Sequence, residues 1–404
     1  MLWEKKLAQW VNEVRSKTEL PARLALWNGE HFDLGTFHQP LVTLRIRDLS
    51  ALPFLLHPSL DRLGEAYVKG RIDLEGALKD IIDVGYSLAL TCVSGTRNVA
   101  RASPFMAHSK RSDRQAIRYH YDVSNAFYRL WLDENMVYSC GYFENGDEDL
   151  AIAQLKKIDH VLTKIQLKEG QTLLDIGCGW GALVLRAAQK FGARCVGVTI
   201  SQNQFDLATE RVRAAGLEDR IEIRLQDYRD IEGQFDRITS VGMFEHVGRR
   251  KLPYYFSRIR SLLAHDGIAM NHGITSTDSN GDENGLGGGE FMDRFVFPDG
   301  ELSHISLALE TMQRGGLEPI DVENLRRHYA RTLGIWSENF EAQAKKARTL
   351  VDDEIFRIWR VYLGGCAYAF ERDDLSVFQI VCRKAGRSAN TLPWSRRYMY
   401  DNAV

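Results

Sequence analysis

The chain has 404 residues, of which 44% are apolar and 26% charged, and its formal net charge is −2. This length allows two domains or one large domain, and the composition is ordinary for a globular protein. So small a net charge creates no overall electrostatic field that would attract nucleic acid. No apolar run approaches the roughly 18 residues that a membrane-spanning helix needs. The six cysteines form no CxxC pair, so we expect a reducing cytoplasm, no metal site and no nucleic-acid partner.

The first predicted element is an amphipathic helix over MLWEKKLAQWVNEV, a pattern that differs from an export signal. The alternating run TLRIRDL (43–49) follows, with helical patterns on both sides. The stretch LGEAYVKGRIDLEGALKDII (63–82) is predicted to form two helices around a turn. Residues 1–95 are therefore predicted to form a small α+β domain.

A basic segment over residues 96–118 follows this predicted domain. Its charged residues are Arg97, Arg101, Lys110, Arg111, Arg114 and Arg118, with Asp113 as the one acid. Most such charge runs are solvated linkers, and we interpret this one as a basic linker. The alternative is a polybasic strip that gains about 1 kcal/mol per charge beside an anionic leaflet.

Short β-rich runs alternate with helical patterns from about Gln171 onward. The runs are TLLDI, RCVGVTI, RIEIRL, FDRITSV and GIAMNH. This rhythm predicts right-handed βαβ units and a doubly wound parallel sheet, within a second domain over residues 119–404. The later run SVFQIVCR (376–383) is predicted to be a final edge strand, and the glycine-rich stretch 275–291 to be either a lid or a plain surface loop.

A glycine turn, LLDIGCGWG (173–181), follows the first of these strands and opens a helix. Gly177 and Gly179 allow the backbone to approach a ligand closely, and the helix N-terminus adds N–H donors. Asp175 lies on the strand itself. The third glycine comes two residues after Gly179, which differs from the spacing of dinucleotide-binding turns.

The second strand ends in GVTISQNQ (197–204) and lacks the acidic residue that usually binds ribose hydroxyls. Thr199, Ser201 or Gln204 would have to bind the ribose instead. After the third strand, the segment LQDYRD places Asp227 and Tyr228 where they could hydrogen-bond and flank a purine.

These segments closely resemble the cyclopropane-fatty-acyl-phospholipid synthases, class I S-adenosylmethionine-dependent methyltransferases that are related to the mycolic acid cyclopropane synthases. Further matching segments are YHYDVSNAFYRLWL, NMVYSCGYF, FDRITSVGMFEHVG, FMDRFVFPDGEL and WRVYLGGCAYAF. The resemblance covers nearly all of residues 119–383. The stretch LGEAYVKGRIDLEG is similar to the extra domain of the bacterial phospholipid-acting branch.

This resemblance implies an α/β fold with a doubly wound, seven-stranded, Rossmann-like sheet and S-adenosylmethionine as co-substrate. The residues that it assigns to the cofactor are Tyr138, Ser139, Asp175, Gly177, Gly179, Thr199, Ile200, Gln204, Asp227 and Tyr228. Tyr138 and Ser139 are expected at the methionine end, residues 199–204 at the ribose, and Asp227 with Tyr228 at the adenine.

The resemblance also implies a chemistry. The cofactor methyl would add to a cis double bond of a phospholipid acyl chain, and the resulting carbocation would lose a proton to a bound bicarbonate ion. The matching catalytic positions are Cys140, Glu245, His272, Ile274 and Tyr329, with Cys366 as a further candidate. A carboxylate repels an anion unless one of the two carries a proton, so proton sharing between Glu245 and bicarbonate is expected.

Two neighbouring residues have weaker assignments. His246 points away if Glu245 points inward, so we expect a packing or helix-start role for it. We expect a hydroxylated or larger residue between His272 and Ile274, where this sequence has Gly273.

The favoured hypothesis is a cyclopropane-forming enzyme that acts on phospholipids at the inner face of the membrane as a peripheral homodimer. The N-terminal domain would assist lipid access or dimerisation. The alternative is a methyltransferase that adds a simple methyl branch or methylates a small amine. A lipid carrier with an inactive methyltransferase fold is disfavoured because the cofactor turn is intact.

Overall fold

The computed structural model describes residues 2–91, 123–279, 288–298, 300–386 and 392–400. The helices are α1 (Leu2–Lys17), α2 (Leu52–Leu56), α3 (Leu60–Val68), α4 (Leu78–Leu90), α5 (Asn125–Tyr128), α6 (Leu150–Lys164), α7 (Ala182–Phe191), α8 (Gln202–Ala214), α9 (Leu252–Leu262), α10 (Gly289–Phe295), α11 (Ile305–Arg314), α12 (Arg326–Ala342), α13 (Ala344–Leu350) and α14 (Asp353–Glu371). The strands are β1 (Ala22–Ala25), β2 (His31–Asp33), β3 (Val42–Ile46), β4 (Ile72–Glu75), β5 (Thr172–Ile176), β6 (Arg194–Thr199), β7 (Ile221–Leu225), β8 (Phe235–Val241), β9 (Leu263–Ser276), β10 (Leu317–Asn324) and β11 (Leu375–Lys384). Short 3-10 helices cover Leu49–Ala51, Tyr228–Asp230, Phe244–His246, Arg249–Lys251 and Arg396–Met399.

The chain divides into two compact units. The first comprises Met1–Ala102, Asp282–Pro298 and Ala344–Tyr368, and the second comprises Ser103–Gly281, Asp299–Gln343 and Ala369–Val404. The predicted basic linker 96–118 and residues 280–287 of the glycine-rich loop lie outside the described residues. The boundary predicted near residue 95 stays a prediction.

The first unit contains a four-stranded sheet in the order β2-β1-β3-β4, in which β1 and β3 are parallel and the other pairs antiparallel. Helix α1 is amphipathic as predicted: Leu7, Trp10, Val11 and Val14 recur with helical spacing and are buried. The prediction of two helices around a turn within 63–82 is wrong in part, because residues 72–75 between the two helices form strand β4. Strands this short carry little periodic signal.

The second unit contains a seven-stranded sheet in the order β10-β11-β9-β8-β5-β6-β7. Strands β5 to β9 pair in parallel, and β11 pairs antiparallel with both β9 and β10. The predicted α/β fold class, with a Rossmann-like seven-stranded sheet and a small α+β N-terminal part, is confirmed. The prediction that SVFQIVCR forms an edge strand is wrong, because β11 is an inner strand and β10 lies at the edge.

The parallel strands position the loops that follow them. The carboxyl ends of β5, β6, β8 and β9 meet at one edge of the sheet, which is where ligands bind in open α/β folds. After β5 the chain turns through Gly177, Gly179 and Gly181, with φ values of 80°, 55° and 84°. A side chain would strain such backbone, so the turn depends on glycine.

Neither a membrane-spanning helix nor a metal-binding cluster occurs within the described ranges. No helix there is long and apolar enough to cross a membrane. Within the same ranges, no group of three or more His, Cys, Asp or Glu side chains is arranged to hold a metal ion.

Candidate active site

A cavity lies at the carboxyl ends of β5, β6 and β8, within the second unit. Every residue that the sequence assigned to the cofactor lines it: Tyr138, Ser139, Asp175, Gly177, Gly179, Thr199, Ile200, Gln204, Asp227 and Tyr228. The structure therefore brings these ten residues together around one space, although the contact that each makes with a cofactor stays a prediction.

The polar groups after β6 fit a ribose without an acidic residue. The Thr199 hydroxyl donates to Gln204 Oε1 over 2.7 Å, and the N–H of Ser201 donates to Thr199 Oγ1 over 3.2 Å. Because the amide oxygen of Gln204 is occupied, its NH₂ group is the part left to face a ligand. An NH₂ group donates to hydroxyl oxygens, so the amide can take the place of the usual carboxylate.

At the predicted adenine end, Asp227 is held by Arg229. The Arg229 side chain donates to the two carboxylate oxygens over 2.8 and 2.6 Å, and the Arg229 N–H donates to one of them over 2.9 Å. Tyr228 is buried and packs edge-on against Tyr255, with ring centroids 5.5 Å apart. These contacts hold the carboxylate and the ring in fixed orientations at the cavity wall.

Aromatic rings surround Tyr138 at the other end of the cavity. Its ring centroid lies 5.7 Å from that of Tyr128, 5.4 Å from that of Trp131 and 5.3 Å from that of Trp336. Aromatic faces attract cations, with about 2 kcal/mol gained when the contact is desolvated. A cluster of this kind is suited to a sulfonium ion.

Asp175 lies beneath the cavity at the end of β5. Its side chain is 3% exposed, and the Thr239 hydroxyl donates to it over 2.7 Å. Burial raises the pKa of this carboxyl to about 6, and the Thr239 hydrogen bond and the Lys157 charge oppose that rise. The carboxylate therefore stays ionised at neutral pH in a place where a ligand cation would stabilise it further.

Several ionisable residues that line the cavity were not assigned to the cofactor from the sequence: Lys157, Cys178, Arg229, His246 and Lys251. Lys157 lies on α6 and is only 2% exposed, although its pattern is that of a charged surface helix. The signal that could have found it is its position four residues before Val161, which is buried, on the apolar stripe of α6. His246 was expected to have a packing or helix-start role, but it lines the cavity.

Glu245 lies in the 3-10 turn after β8, and unlike His246 it is not among the residues that line the cofactor cavity. Its Oε1 accepts a hydrogen bond from the N–H of Ile274 over 2.7 Å. The side chain is 9% exposed, and burial raises the pKa of its carboxyl to about 7. Its Oε2 has no hydrogen-bond partner among the described residues.

Gly273, where a larger residue was expected, lies directly against the ring of Phe244. A Cβ on Gly273 would lie 2.1 Å from the ring of Phe244 and 3.3 Å from Glu245 Oε2. The Phe244 ring, which is buried, therefore fills the volume that a side chain at position 273 would need.

His272 lies on β9, two residues before Ile274 and on the same face of the strand. It is 2% exposed, and burial lowers the pKa of its imidazole to about 3, so the ring is neutral. In the part of the chain that the structure describes, neither ring nitrogen has a hydrogen-bond partner. Gly242, which lines the cofactor cavity, donates its N–H to the His272 carbonyl over 2.8 Å.

Cys140 and Tyr329 join this region through the carbonyl of Leu325. The Cys140 thiol lies 3.8 Å from that oxygen, and the N–H of Tyr329 donates to it over 3.0 Å. The N–H of Leu325 in turn donates to the Val377 carbonyl over 2.9 Å, and Val377 is paired with Ile274 across β11 and β9. Five of the six predicted catalytic residues thus lie in one contiguous network.

Cys366 is the exception. It lies on α14 in the first unit, whereas the other five belong to the second. Burial raises the pKa of its thiol to about 12, so it carries no thiolate at neutral pH. By accessible surface Cys366 is half-buried, and a neutral thiol in such a place packs as a small apolar side chain.

The unpartnered atoms around Glu245 and His272 indicate what the site can bind. Buried polar atoms in folded proteins are nearly always hydrogen-bonded. Glu245 Oε2 and the two ring nitrogens of His272 would be satisfied by a small species that both donates and accepts. The residues present therefore fit a small oxyanion that carries a proton.

Comparison with known proteins agrees with this fold. The family model for mycolic acid cyclopropane synthetase matches residues 108–380, and a domain of unknown function, DUF7884, matches residues 9–96. The chain is 46% identical over 384 residues to a probable fatty acid methyltransferase of Pseudomonas putida, which covers 94% of this chain and 96% of that protein. It is 33% identical over 395 residues to the tuberculostearic acid methyltransferase UfaA1 of Mycobacterium tuberculosis (strain ATCC 25618 / H37Rv), covering 90% and 88% of the two chains.

Among solved structures, a mycolic acid cyclopropane synthase complexed with SAH and CTAB is similar, with a TM-score of 0.65 and 35% identity. The match covers 67% of this chain and 98% of that one. The chain therefore belongs to the mycolic acid cyclopropane synthetase family, whose members are S-adenosylmethionine-dependent cyclopropane synthases and methyltransferases of lipid acyl chains.

Proposed function

We propose that this enzyme converts a cis double bond in a phospholipid acyl chain into a cyclopropane ring, with S-adenosylmethionine as methyl donor. The observation that carries the proposal is the pairing of two sites at one edge of the sheet. A cavity suited to the cofactor adjoins a buried site in which Glu245 and His272 keep polar atoms without protein partners. Simple transfer to an amine has no use for the second site.

The reaction balances as follows. S-adenosylmethionine, when bound, supplies an electrophilic methyl group. The alkene π electrons form a new C–C bond to that methyl as its bond to sulfur breaks, which leaves a carbocation on the acyl chain. One proton then leaves the added methyl, and the electrons of that C–H bond close the ring. The lipid gains CH₂ in total, and one proton is released.

The enzyme must protect the cation from water and stabilise it until the proton leaves. Tyr138 lines the cofactor cavity, and the buried rings of Tyr128 and Trp131 pack against it. The proposal assigns stabilisation of the cation to this aromatic surface. Glu245 and His272 are almost fully buried, which supports a site from which bulk water is excluded.

The base is proposed to be bicarbonate, held by Glu245, His272, Tyr329 and Cys140. The Ile274 N–H would contribute by orienting the Glu245 carboxyl. Bicarbonate, when bound, would supply an oxygen that takes the proton. The Glu245 pKa of about 7 supports this arrangement, because a carboxyl that keeps its proton near neutral pH donates to an anion without repelling it. The His272 ring is neutral, so it offers one N–H donor and one acceptor.

A methyl-branching reaction is the second candidate, and the names of the relatives favour it. The chain matches a probable fatty acid methyltransferase and a tuberculostearic acid methyltransferase over about nine-tenths of its length. The same carbocation would give a methyl-branched alkene if a proton left instead from a chain carbon beside the cation. It would give an exomethylene branch if a hydride first moved from the methylated carbon to the cationic carbon and the added methyl then lost a proton. The two outcomes therefore share the cofactor and the substrate class, and they differ in the last bond that forms.

The test is expression of the full chain in cells that lack cyclopropane lipids, followed by gas chromatography with mass spectrometry of their fatty acids. The proposal predicts a new acid heavier by one methylene, with loss of the parent alkene. Mild hydrogenation distinguishes the candidates, because an exomethylene branch takes up hydrogen much more readily than a ring. A branched product, or no lipid change, would reject ring formation.

A further inference from the structure

Two lysines on helix α6 are buried in the second unit, and they differ in how their charges are satisfied. Lys164 contacts the carboxylate of Glu323 and donates to Gln379 Oε1 over 2.9 Å, and Asp321 lies 3.7 Å away. Lys157, two turns earlier, has no such partners. The difference indicates that protein carboxylates neutralise the charge of Lys164, whereas the charge of Lys157 is left for a bound ligand to neutralise.

Lys157 donates to the Ser139 hydroxyl over 2.6 Å. In the ranges that the structure describes, its ammonium forms no ion pair within 4 Å. An ammonium has three donors, and burying a charge is costly unless it is paired. Ser139 accepts one of these donors and is neutral. Lys157 also lines the cofactor cavity, so an anionic group of a bound ligand can reach its ammonium.

The charges along the cavity wall narrow the identity of that anion. At the adenine end, Asp227 and Arg229 already satisfy each other over 2.6 to 2.8 Å. Lys157 and Asp175 both line the cavity, are both almost fully buried, and lie close enough for each charge to perturb the other, yet they form no ion pair. Lys251 also lines the cavity, but it has an interaction partner of its own. Lys157 and Asp175 are therefore a cation and an anion without an ion pair, and together they complement a zwitterion.

We propose that Lys157 binds the α-carboxylate at the methionine end of S-adenosylmethionine. The Ser139 hydroxyl would hold the Lys157 ammonium in position. The amino-acid part of this cofactor is a zwitterion, and its ammonium would face the acidic Asp175. The inference rests on the cofactor of the proposed function and is independent of the acyl product. Lys157 thus contributes to cofactor affinity and not to the proton transfer at Glu245.

The protonation of Lys157 is compatible with this role. Burial lowers the pKa of its ammonium to about 8, while the nearby Asp133 and Asp175 carboxylates oppose that shift, and His272 is neutral. The side chain is therefore mostly charged at pH 7. A bound carboxylate would stabilise the charged form further.

The test is calorimetric titration of the purified full chain with three ligands: S-adenosylhomocysteine, its decarboxylated analogue, and 5′-methylthioadenosine, which lacks the amino-acid end. The variant is Lys157→Met, which keeps an unbranched side chain out to Cε and removes the charged ammonium. The matched control is Lys156→Met, the adjacent residue, which is more exposed and pairs with Glu144 and Glu148 at the surface.

The proposal predicts that Lys157→Met weakens S-adenosylhomocysteine binding about 10- to 100-fold, the usual worth of a charged hydrogen bond. It also predicts that 5′-methylthioadenosine binding changes less than about twofold, and that Lys156→Met changes neither. Lys157→Met would no longer distinguish S-adenosylhomocysteine from its decarboxylated analogue. The proposal would be overturned if Lys157→Met lowered the affinities for S-adenosylhomocysteine and for its decarboxylated analogue equally. It would also be overturned if the variant bound S-adenosylhomocysteine as tightly as the wild type does.

The wild-type protein provides a test that does not depend on the variant folding. If it binds decarboxylated S-adenosylhomocysteine as tightly as the intact ligand, no group recognises the carboxylate and the proposal fails. A loss of about tenfold or more supports it. No lipid is present in these titrations, so failure to form a cyclopropane in cells would leave their result unaffected.

Discussion

Replacing Glu245 with glutamine should make the protein more stable at alkaline pH, even though the residue is assigned to catalysis. Burial raises the pKa of the Glu245 carboxyl from an ordinary 4.5 to about 7. The folded state therefore binds a proton more tightly than the unfolded state. Stability from this group is fully present below about pH 4.5 and is lost as the pH rises through about 7.

The size of the effect follows from these pKa values. Each factor of ten in an ionisation constant is worth about 1.4 kcal/mol, so ionising Glu245 in the folded protein costs about 3 kcal/mol by pH 8. Glutamine has nearly the same shape, its oxygen can still accept from the Ile274 N–H, and it does not ionise. For a unit of this size, about 3 kcal/mol corresponds to roughly 6 to 12 °C in melting temperature.

The assay is thermal unfolding of wild type and Glu245→Gln from pH 5 to pH 8 in degassed buffer without bicarbonate. We expect similar melting temperatures for the two proteins near pH 5. Toward pH 8 the melting temperature of the variant should increasingly exceed that of the wild type. All other titrating groups are common to both proteins, so the difference isolates Glu245. Parallel curves, or a variant that is less stable at every pH, would refute the assignment of a raised pKa.

Three further predictions concern activity, packing and thiol chemistry. Glu245→Gln should lower turnover at least about 100-fold, as expected for loss of a group that organises proton transfer, while S-adenosylhomocysteine affinity changes less than about twofold; equal losses would argue against its role. Gly273→Ala should cost about 1 to 3 kcal/mol because of the Phe244 ring, whereas Gly334→Ala, with open space inside α12, should be neutral or stabilising; equal melting temperatures would contradict this. Cys366→Ala should keep product formation within about twofold, since its thiol has a pKa of about 12 and is neutral; loss of the product would contradict a packing role.

The features that local sequence encodes were predictable. The glycine turn, the parallel strands and the amphipathic α1 each have a pattern within a few residues. No local pattern gives the position of β11 in the sheet, because an alternating sequence identifies a strand but not the strands that pair with it. Strand β10 was also missed: Pro319 lies in its sequence, at an irregularity in its pairing with β11, and proline is atypical of a strand.

The site was predictable to the extent that its residues belong to recognisable motifs. Glu245 and the cofactor residues lie in such motifs. Lys157 lies in a helix whose charged residues are typical of a solvated surface, and only the packing of α6 reveals that it is buried. The reason for Gly273 is likewise tertiary, because the ring that excludes a side chain there comes from the turn after β8.

The most direct measurement of the central claim is product analysis with purified enzyme, S-adenosylmethionine and vesicles of a cis-unsaturated phospholipid, with and without added bicarbonate. The account predicts an acyl chain that carries a cyclopropane ring, at a rate that falls when bicarbonate is removed and recovers when it is restored. A ring formed equally fast without bicarbonate would contradict the proposed base. A methyl or methylene branch in place of the ring would contradict the proposed reaction.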